Sequence, residues 1–251
     1  MKNSPYFDTF SVSISRWVQT LSEISESVEL VESMTKQWLY LESIFSGSDE
    51  IRRQLPSETV QFNAVNKNWR MTMSKWAELK MAKTLCLIPG QFEKLLTMQR
   101  SLELIERSLS DYLETKRMAF PRFYFLSDDE LLSILGNAKQ PDRVQRHFRS
   151  LFGGIDCLIL RGPTNAVADW QALGYRDRLN EQILFVDPVP IRGAVESWLR
   201  CIEHAMKSSL RTQLAATLLP IKSQAAPKKK REHWIRCSVG QLLVLSAQAR
   251  F

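Results

Sequence analysis

From Phe7 the apolar residues return at alternating steps of three and four: Phe7, Phe10, Ile14, Trp17, Leu21, Ile24, Val28 and Val31, then Trp38 and Phe45 after the polar Thr35. This is a heptad seam, and it restricts the first fifth of the chain to one long helix with an apolar stripe. A helix from Pro5 to Phe45 would be about 60 Å long, at 1.5 Å per residue. That is longer than one small core requires, so the pattern predicts an elongated, mainly helical architecture.

The rest of the chain continues in the same idiom. "SGSD" (Ser46–Asp49) interrupts the rod, and "LPSE" (Leu55–Glu58) supplies a proline suited to a helix's first turn. A second helix carries Phe62, Val65, Trp69, Met73 and Trp76 on one face and ends at Pro89-Gly90. A third, from Gln91 to Arg117, aligns Phe92, Leu95, Leu102, Ile105, Leu109 and Tyr112. Three long helices joined by short connections predict a bundle.

"FPRFYFLSDDELLSIL" (Phe120–Leu135) changes the pattern. Pro121 disfavours helical geometry at Phe120 and so stops the third helix. "RFYFL" reads as a short extended segment, with Phe123 and Phe125 on one face and Tyr124 on the other. Ser127 and Glu130 have capping-box spacing, Leu126 and Leu131 the spacing of a hydrophobic staple. Asp128 and Asp129 fall in the first turn, where negative charge complements the helix dipole. Gly136 is expected to close the helix in the left-handed conformation.

A short helix is expected from Pro141 to Phe152, ending at Gly153-Gly154. "CLILR" (Cys157–Arg161) and "ILFV" (Ile183–Val186) read as strands, with a further hairpin strand near Val167–Leu173 and a turn at Pro188 and Pro190. An amphipathic helix then carries Val195, Trp198, Leu199, Ile202, Met206 and Leu210 towards Leu219, before Pro220. The fold class is mainly α, elongated multi-helix bundles with a small β element. It divides into residues 1–33, part of the long heptad helix; 34–153, a helical core with the FPRFYF joint; 154–192, the β element and loops; and 193–251, the C-terminal helices with a basic loop at 221–232.

Composition excludes some classes of protein. Apolar residues make up 44% of the 251 and charged residues 24%, which argues against wholesale disorder and fibrous repeats. No apolar run approaches the roughly 20 residues of a membrane span, and the N-terminus lacks the order of a signal peptide, so an intracellular protein is expected. Cys86, Cys157, Cys201 and Cys237 are too scattered for a disulfide framework. Of the net charge of +7, Lys228, Lys229, Lys230 and Arg231 supply four, so the basic excess is local.

Catalytic patterns are not evident. Gly153-Gly154 lacks the lysine and hydroxyl of a phosphate-binding loop, and neither a nucleophile elbow nor an HExxH zinc helix occurs. Cys201 and His204 share a helix face, but a closed zinc site needs about four ligands. The acids at 128–130 are explained by capping before magnesium needs to be invoked. If the segment Pro141–Phe152 is helical, Arg143, Arg146 and Arg149 form a cationic ridge, expected to be a plain solvated face first and a contact for an acidic partner surface second.

The run "WLYLESIFSGSDEIRRQLPSETVQFNAVNKNW", followed by "YLETKRMAFPRFYFLSDDELLSILGNAKQPDRVQRHF", resembles the linker region of dynein heavy chains. Its markers are Trp38, Leu41, Glu42, Ile44, Phe45, Leu55, Pro56, Glu58, Phe62, Tyr112, Leu113, Glu114, Arg117 and the block Phe120–Leu132. "AVESWLRCIEHAMKSSL" and "GQLLVLSAQARF" extend the likeness over nearly everything after residue 34. "IFSGSDEI", "FPRFYF" and "GNAKQP" lean towards the cytoplasmic class rather than the axonemal ones.

The resemblance implies a non-catalytic helical arm that arches over a ring of ATPase modules and bends as the first module cycles. It implies no cofactor in this segment, ATP and magnesium being held by downstream modules. It implies as partners the ring and the other heavy, intermediate and light intermediate chains, with microtubules reached only through absent domains. The expected setting is the cytoplasmic cytoskeleton. The residues it marks for structural coupling are Phe120, Pro121, Arg122, Phe123, Tyr124, Phe125, Ser127, Asp128 and Glu130. The family usually continues past Phe251 into the first ATPase module, so a segment that is no motor by itself is expected, and Ser238-Val239 departs from the family's common proline. Two rival readings stand beside this one: a stand-alone helical adaptor pairing through the heptad seam, and a nucleic-acid binder using Lys228–Arg231, tested by salt-dependent binding.

The capping-box assignment makes a direct prediction. Glu130→Ala is expected to cost about 1 kcal/mol, read as a lower denaturant midpoint; an unchanged midpoint rejects the assignment.

Overall fold

The computed structural model describes residues 7–79, 86, 88–163, 169–222, 232, 235–236 and 239–248. The basic run Lys228–Arg231 and Cys237 therefore lie outside the described residues. The architecture is mainly α with one three-stranded antiparallel sheet. It comprises two compact units, residues 1–112 and 113–251.

In the first unit α1 (Phe7–Gly47) is the long helix that the heptad seam predicts. It stops where Ser48 turns into extended geometry and caps α2 (Asp49–Gln54), its hydroxyl accepting from the Ile51 amide at 3.3 Å. α3 (Pro56–Leu79) opens on its proline, whose missing N–H costs a helix nothing at that position. Gly90, at φ 74, leads into α4 (Gln91–Ala119), a backbone conformation glycine adopts without strain.

The core of this unit draws on Met34, Leu41, Ile44 and Phe45 of α1, Phe62, Val65 and Trp69 of α3, and Leu95, Leu102, Ile105 and Leu109 of α4. Phe45 stacks on Phe62 at 5.2 Å, and Trp38 leans on Trp69 at 6.4 Å. The Arg70 guanidinium lies 5.4 Å from the centre of the Trp38 ring, while the indole N–H donates to Asn66 at 3.1 Å. The burial is uneven along α1: between Thr9 and Glu26 no residue is buried, and the first that is, Ser27, meets the buried Cys86 thiol.

In the second unit the chain passes from the end of α4 through a 3-10 turn (Pro121–Phe125) to α5 (Asp128–Gly136). The predicted helix over Pro141–Phe152 is α6 (Pro141–Val144), a 3-10 turn (Gln145–His147) and α7 (Phe148–Leu151). The sheet follows, in the order β1 (Ile155–Arg161), β2 (Trp170–Asp177), β3 (Gln182–Ile191). α8 (Val195–Lys222) packs on β3, and α9 (Gly240–Gln248) packs on α8.

Four local expectations are corrected. "RFYFL" is a 3-10 turn and joins no sheet. Gly136 ends α5 without a left-handed residue; Asn137 caps it instead, at φ −110, its side-chain amide donating to the Ser133 carbonyl at 2.7 Å. Pro188 and Pro190 do not turn the chain but lie within β3. They are tolerated because β3 has a strand on one side only, where proline's missing donor leaves no ladder bond unmade. Pro220 does not stop α8, which runs on to Lys222.

The outer edge of β3 is also occupied by α8: the Val186 amide donates to Ser209 Oγ at 3.0 Å, and Gln213 Nε2 donates to the Leu184 carbonyl at 3.1 Å. Such covering blunts an edge that would otherwise recruit another strand. The alternating residues Ile183, Phe185, Val189 and Ile191 are buried, as are Val195, Trp198, Leu199 and Ile202 of α8. The β2–β3 turn is drawn in by Asp177, whose carboxylate accepts from the Leu179 and Glu181 amides at 2.8 Å each.

Gly174 is what lets β2 and β3 close. A Cβ there would lie 2.4 Å from the Ile183 carbonyl oxygen and 2.9 Å from Leu184 Cα, both backbone atoms. Gly174→Ala is expected to destabilise the second unit by about 1–3 kcal/mol, with faster amide exchange in β2 and β3; wild-type exchange in the variant would contradict this packing.

Candidate functional site

The coupling residues marked by the sequence converge on the turn after α4. Pro121 holds Phe120 extended, at φ −138, while the Phe120 amide still closes on Lys116 O at 3.0 Å. The chain then tightens into i→i+3 bonds: Phe123 N to Phe120 O at 2.9 Å and Leu126 N to Phe123 O at 3.1 Å. A period of three eclipses every third side chain. Phe120, Phe123 and Leu126 therefore point inward and are all buried. Tyr124 and Phe125 are exposed, Phe125 to 70%.

The expected facing is thus overturned: Phe123 and Phe125 do not share a side, because the backbone turns with period three and not two. The inward rings form a cluster. Phe120 meets Phe123 edge-on at 5.0 Å and Phe152 at 6.5 Å, and Phe152 stacks on Phe148 at 5.5 Å.

Arg122 closes the cluster from outside. Its guanidinium lies 4.7 Å from the centre of the Phe152 ring, in reach of a cation–π attraction. One terminal nitrogen donates to the Leu151 carbonyl at 3.1 Å and the other to Glu203 of α8 at 3.4 Å. The Glu203 carboxyl is held below its usual range chiefly by Lys207, with Arg122 adding to the effect. One side chain so ties the turn to α7 and to α8.

The capping box is complete: Ser127 Oγ accepts from the Glu130 amide at 3.3 Å, and Glu130 accepts from the Ser127 amide at 3.0 Å. Leu126 and Leu131, the staple pair, are both buried. Asp128 also accepts from Arg117 at 2.5 Å, bridging the end of α4 to the start of α5. Tyr124 donates its hydroxyl to Glu114 at 2.5 Å, which pushes the phenol's pKa up by stabilising the protonated form.

Sequence reasoning missed three contributors. Lys116 and Glu196 form a largely buried ion pair at 2.6 Å, joining α4 to α8. Arg200 donates to the Ala119 carbonyl, at the last residue of α4. Met118, 72% exposed, adds a third outward apolar side chain to Tyr124 and Phe125. Nothing in local spacing marks the two cross-chain contacts, since their partners lie about eighty positions away.

The arginine ridge is divided among local partners. Arg149 pairs with Asp156, which raises its pKa; Arg143 donates to the Asn137 side chain at 3.3 Å; Arg146 is exposed. Cys201 and His204 lie on the exposed side of α8, beside Asp187 and Arg200 in a shallow groove. Among the described residues no group of three or more His, Cys, Asp or Glu is arranged to hold a metal ion.

With this geometry in place, comparison with known proteins gives a consistent answer. A profile described as dynein heavy chain, N-terminal region 2, matches residues 1–217. The whole chain is 39% identical to mouse "Dynein axonemal heavy chain 2", of which it covers 6%. It is 38% identical, over 99% of its length, to the "Dynein-1-beta heavy chain, flagellar inner arm I1 complex" of Chlamydomonas reinhardtii, covering 5% of that protein. Identity to the Drosophila melanogaster "Dynein heavy chain, cytoplasmic" is 32%, over 99% of this chain and 5% of that one. The chain belongs to the dynein heavy chain family. Identities run higher to the two axonemal or flagellar chains than to the cytoplasmic one, so the three stretches that lean cytoplasmic do not decide the class.

One titratable group beneath the site carries a pH prediction. His147 is buried next to α5, 3.4 Å from Ser133 Oγ. Burial lowers its pKa below the ordinary 6.5, outweighing the attraction of Glu130, with Arg146 acting in the same direction as burial. The fold therefore prefers the neutral ring, and the unfolded chain takes up a proton that the folded chain resists. Stability is expected to fall as pH drops through about 6.5, and His147→Gln is expected to flatten that part of the profile. Parallel profiles for the two proteins in chemical denaturation would contradict it.

Proposed function

We propose that this chain is the mechanical linker of a dynein heavy chain, which couples conformational changes of an ATPase ring to movement on microtubules and performs no reaction itself. The observation that carries this reading is the division of labour within "FPRFYF". Its inward residues and Arg122 clamp α7 and α8 around the turn, and its outward residues leave Tyr124 and Phe125 to meet another surface.

On this reading the clamp makes the turn and the helices behind it move as one piece. The exposed aromatics are the contact through which a ring in different nucleotide states prefers different linker positions. No force need be generated in the linker: the shift follows from differential contact free energy between docked states. Nucleotide and magnesium belong to ring modules elsewhere in the parent protein. The other dynein chains are partners of that assembly, and the setting is the cytoskeleton. Family membership, the predominance of helix and the marked coupling residues all support this assignment.

The test is made in a full-length heavy chain carrying this segment. Replacing Tyr124 and Phe125 together by serine is expected to slow microtubule gliding several-fold while ATP hydrolysis persists, because exposed side chains contribute little to folding. Wild-type gliding velocity in that variant would overturn the coupling role.

A further inference from the structure

We propose that Glu181 is a latch for α9: its carboxylate, carried on the turn between β2 and β3, starts that helix and holds it on α8, and its release frees α9 while the sheet stays folded.

The sequence next to α9 supplies little to start a helix. The residue before it is Val239, whose side chain has no oxygen to accept from an unpaired amide, and valine is among the poor residues for that position. The first turn of α9 contains no acid and its last turn no base, so neither end of the helix dipole is met from within the helix. At nine residues α9 is also shorter than the roughly 12–15 below which an isolated helix is marginal in water.

The hairpin supplies what the helix lacks. Glu181 Oε1 accepts from the amide of Gly240, the first residue of α9, at 2.8 Å. The Leu242 and Leu243 amides close on the Val239 carbonyl at 3.0 and 3.1 Å. Gly240 leaves room for the approach, since a Cβ there would lie 2.9 Å and 3.4 Å from the two carboxylate oxygens. A carboxylate acceptor makes such a bond about twice as strong as a neutral one, and it sets negative charge at the positive end of the helix.

The turn holds that carboxylate in place without help from α9. The Asp177 side chain accepts from the Glu181 amide at 2.8 Å, and the Asp177 amide donates to the Glu181 carbonyl at 3.0 Å. Asn180 takes the left-handed conformation of the turn, at φ 64. The latch thus has a fixed half and a detachable half. The other hold on α9 is apolar: Leu242 is buried, and α9 packs on α8, which packs on β3. Turn, α9, α8 and β3 form a closed circuit of contacts, and the Glu181–Gly240 bond joins its ends. Opening that bond leaves the packing of α8 on β3 in place and lets Leu242 come into water. Short elements held this lightly open locally, ahead of the unit they belong to.

Hydrogen exchange of the 251-residue chain tests this. In Glu181→Ala the amides of Leu242–Gln248 are expected to exchange about tenfold faster, with those of β2, β3 and α8 at wild-type rates. Glu181→Gln, which keeps an acceptor and loses the charge, should fall between the two. Asp177 holds Glu181 through main-chain groups, so both substitutions leave those bonds of the turn intact. Unchanged protection of α9 in Glu181→Ala overturns the proposal. So does faster exchange spread equally through β2 and β3, which would make Glu181 a part of the hairpin's own fold.

Discussion

The second unit depends on how Pro121 sets the geometry of the six residues around it. A proline at the first position of a 3-10 turn fixes one backbone angle and forces its predecessor extended. The following residues then close with a period of three, which sends Phe120, Phe123 and Leu126 into one cluster and turns Tyr124 and Phe125 out. Arg122 sits beside that proline and serves two elements at once, α7 through a backbone carbonyl and α8 through Glu203. A guanidinium can do this because its donors form a planar fork that also stacks on an aromatic face.

The ion pairs around this turn share a pattern. Lys116–Glu196, Arg117–Asp128 and Arg122–Glu203 each connect different elements of the second unit. Exposed pairs add little stability on their own. Their value lies in direction, since each fixes how one helix is set against another, and the best shielded, Lys116–Glu196, is the one joining the last turns of α4 to the first turn of α8. The chemistry of these residues is spent on holding elements of the second unit in place.

The first unit is organised differently. Its long helix is packed over its C-terminal half by aromatic contacts, Phe45 on Phe62 and Trp38 on Trp69. Its N-terminal half keeps the same seam without burying it. One sequence pattern thus serves two settings, an internal core towards the C-terminal end of α1 and a more exposed stripe towards its start.

Much of this was legible in the chain itself. The seam from Phe7 predicted α1, Pro56 the start of α3, and Ser127 with Glu130 the capping box, because each depends on residues a few positions apart and on backbone bonds within reach of them. β1 and β3 were legible from apolar runs. Only the tertiary structure decided that "RFYFL" coils instead of extending, since five residues with four aromatic or apolar side chains fit either period until Phe152 and Phe148 offer a place for every third one. It decided that Pro188 and Pro190 are strand residues, because whether a missing N–H is harmful depends on which side of the strand has a neighbour. And it decided the partners of Lys116, Arg122 and Arg149, for local sequence sets a residue's charge and helix face, while the group that meets that charge is supplied by chain folded back from far away.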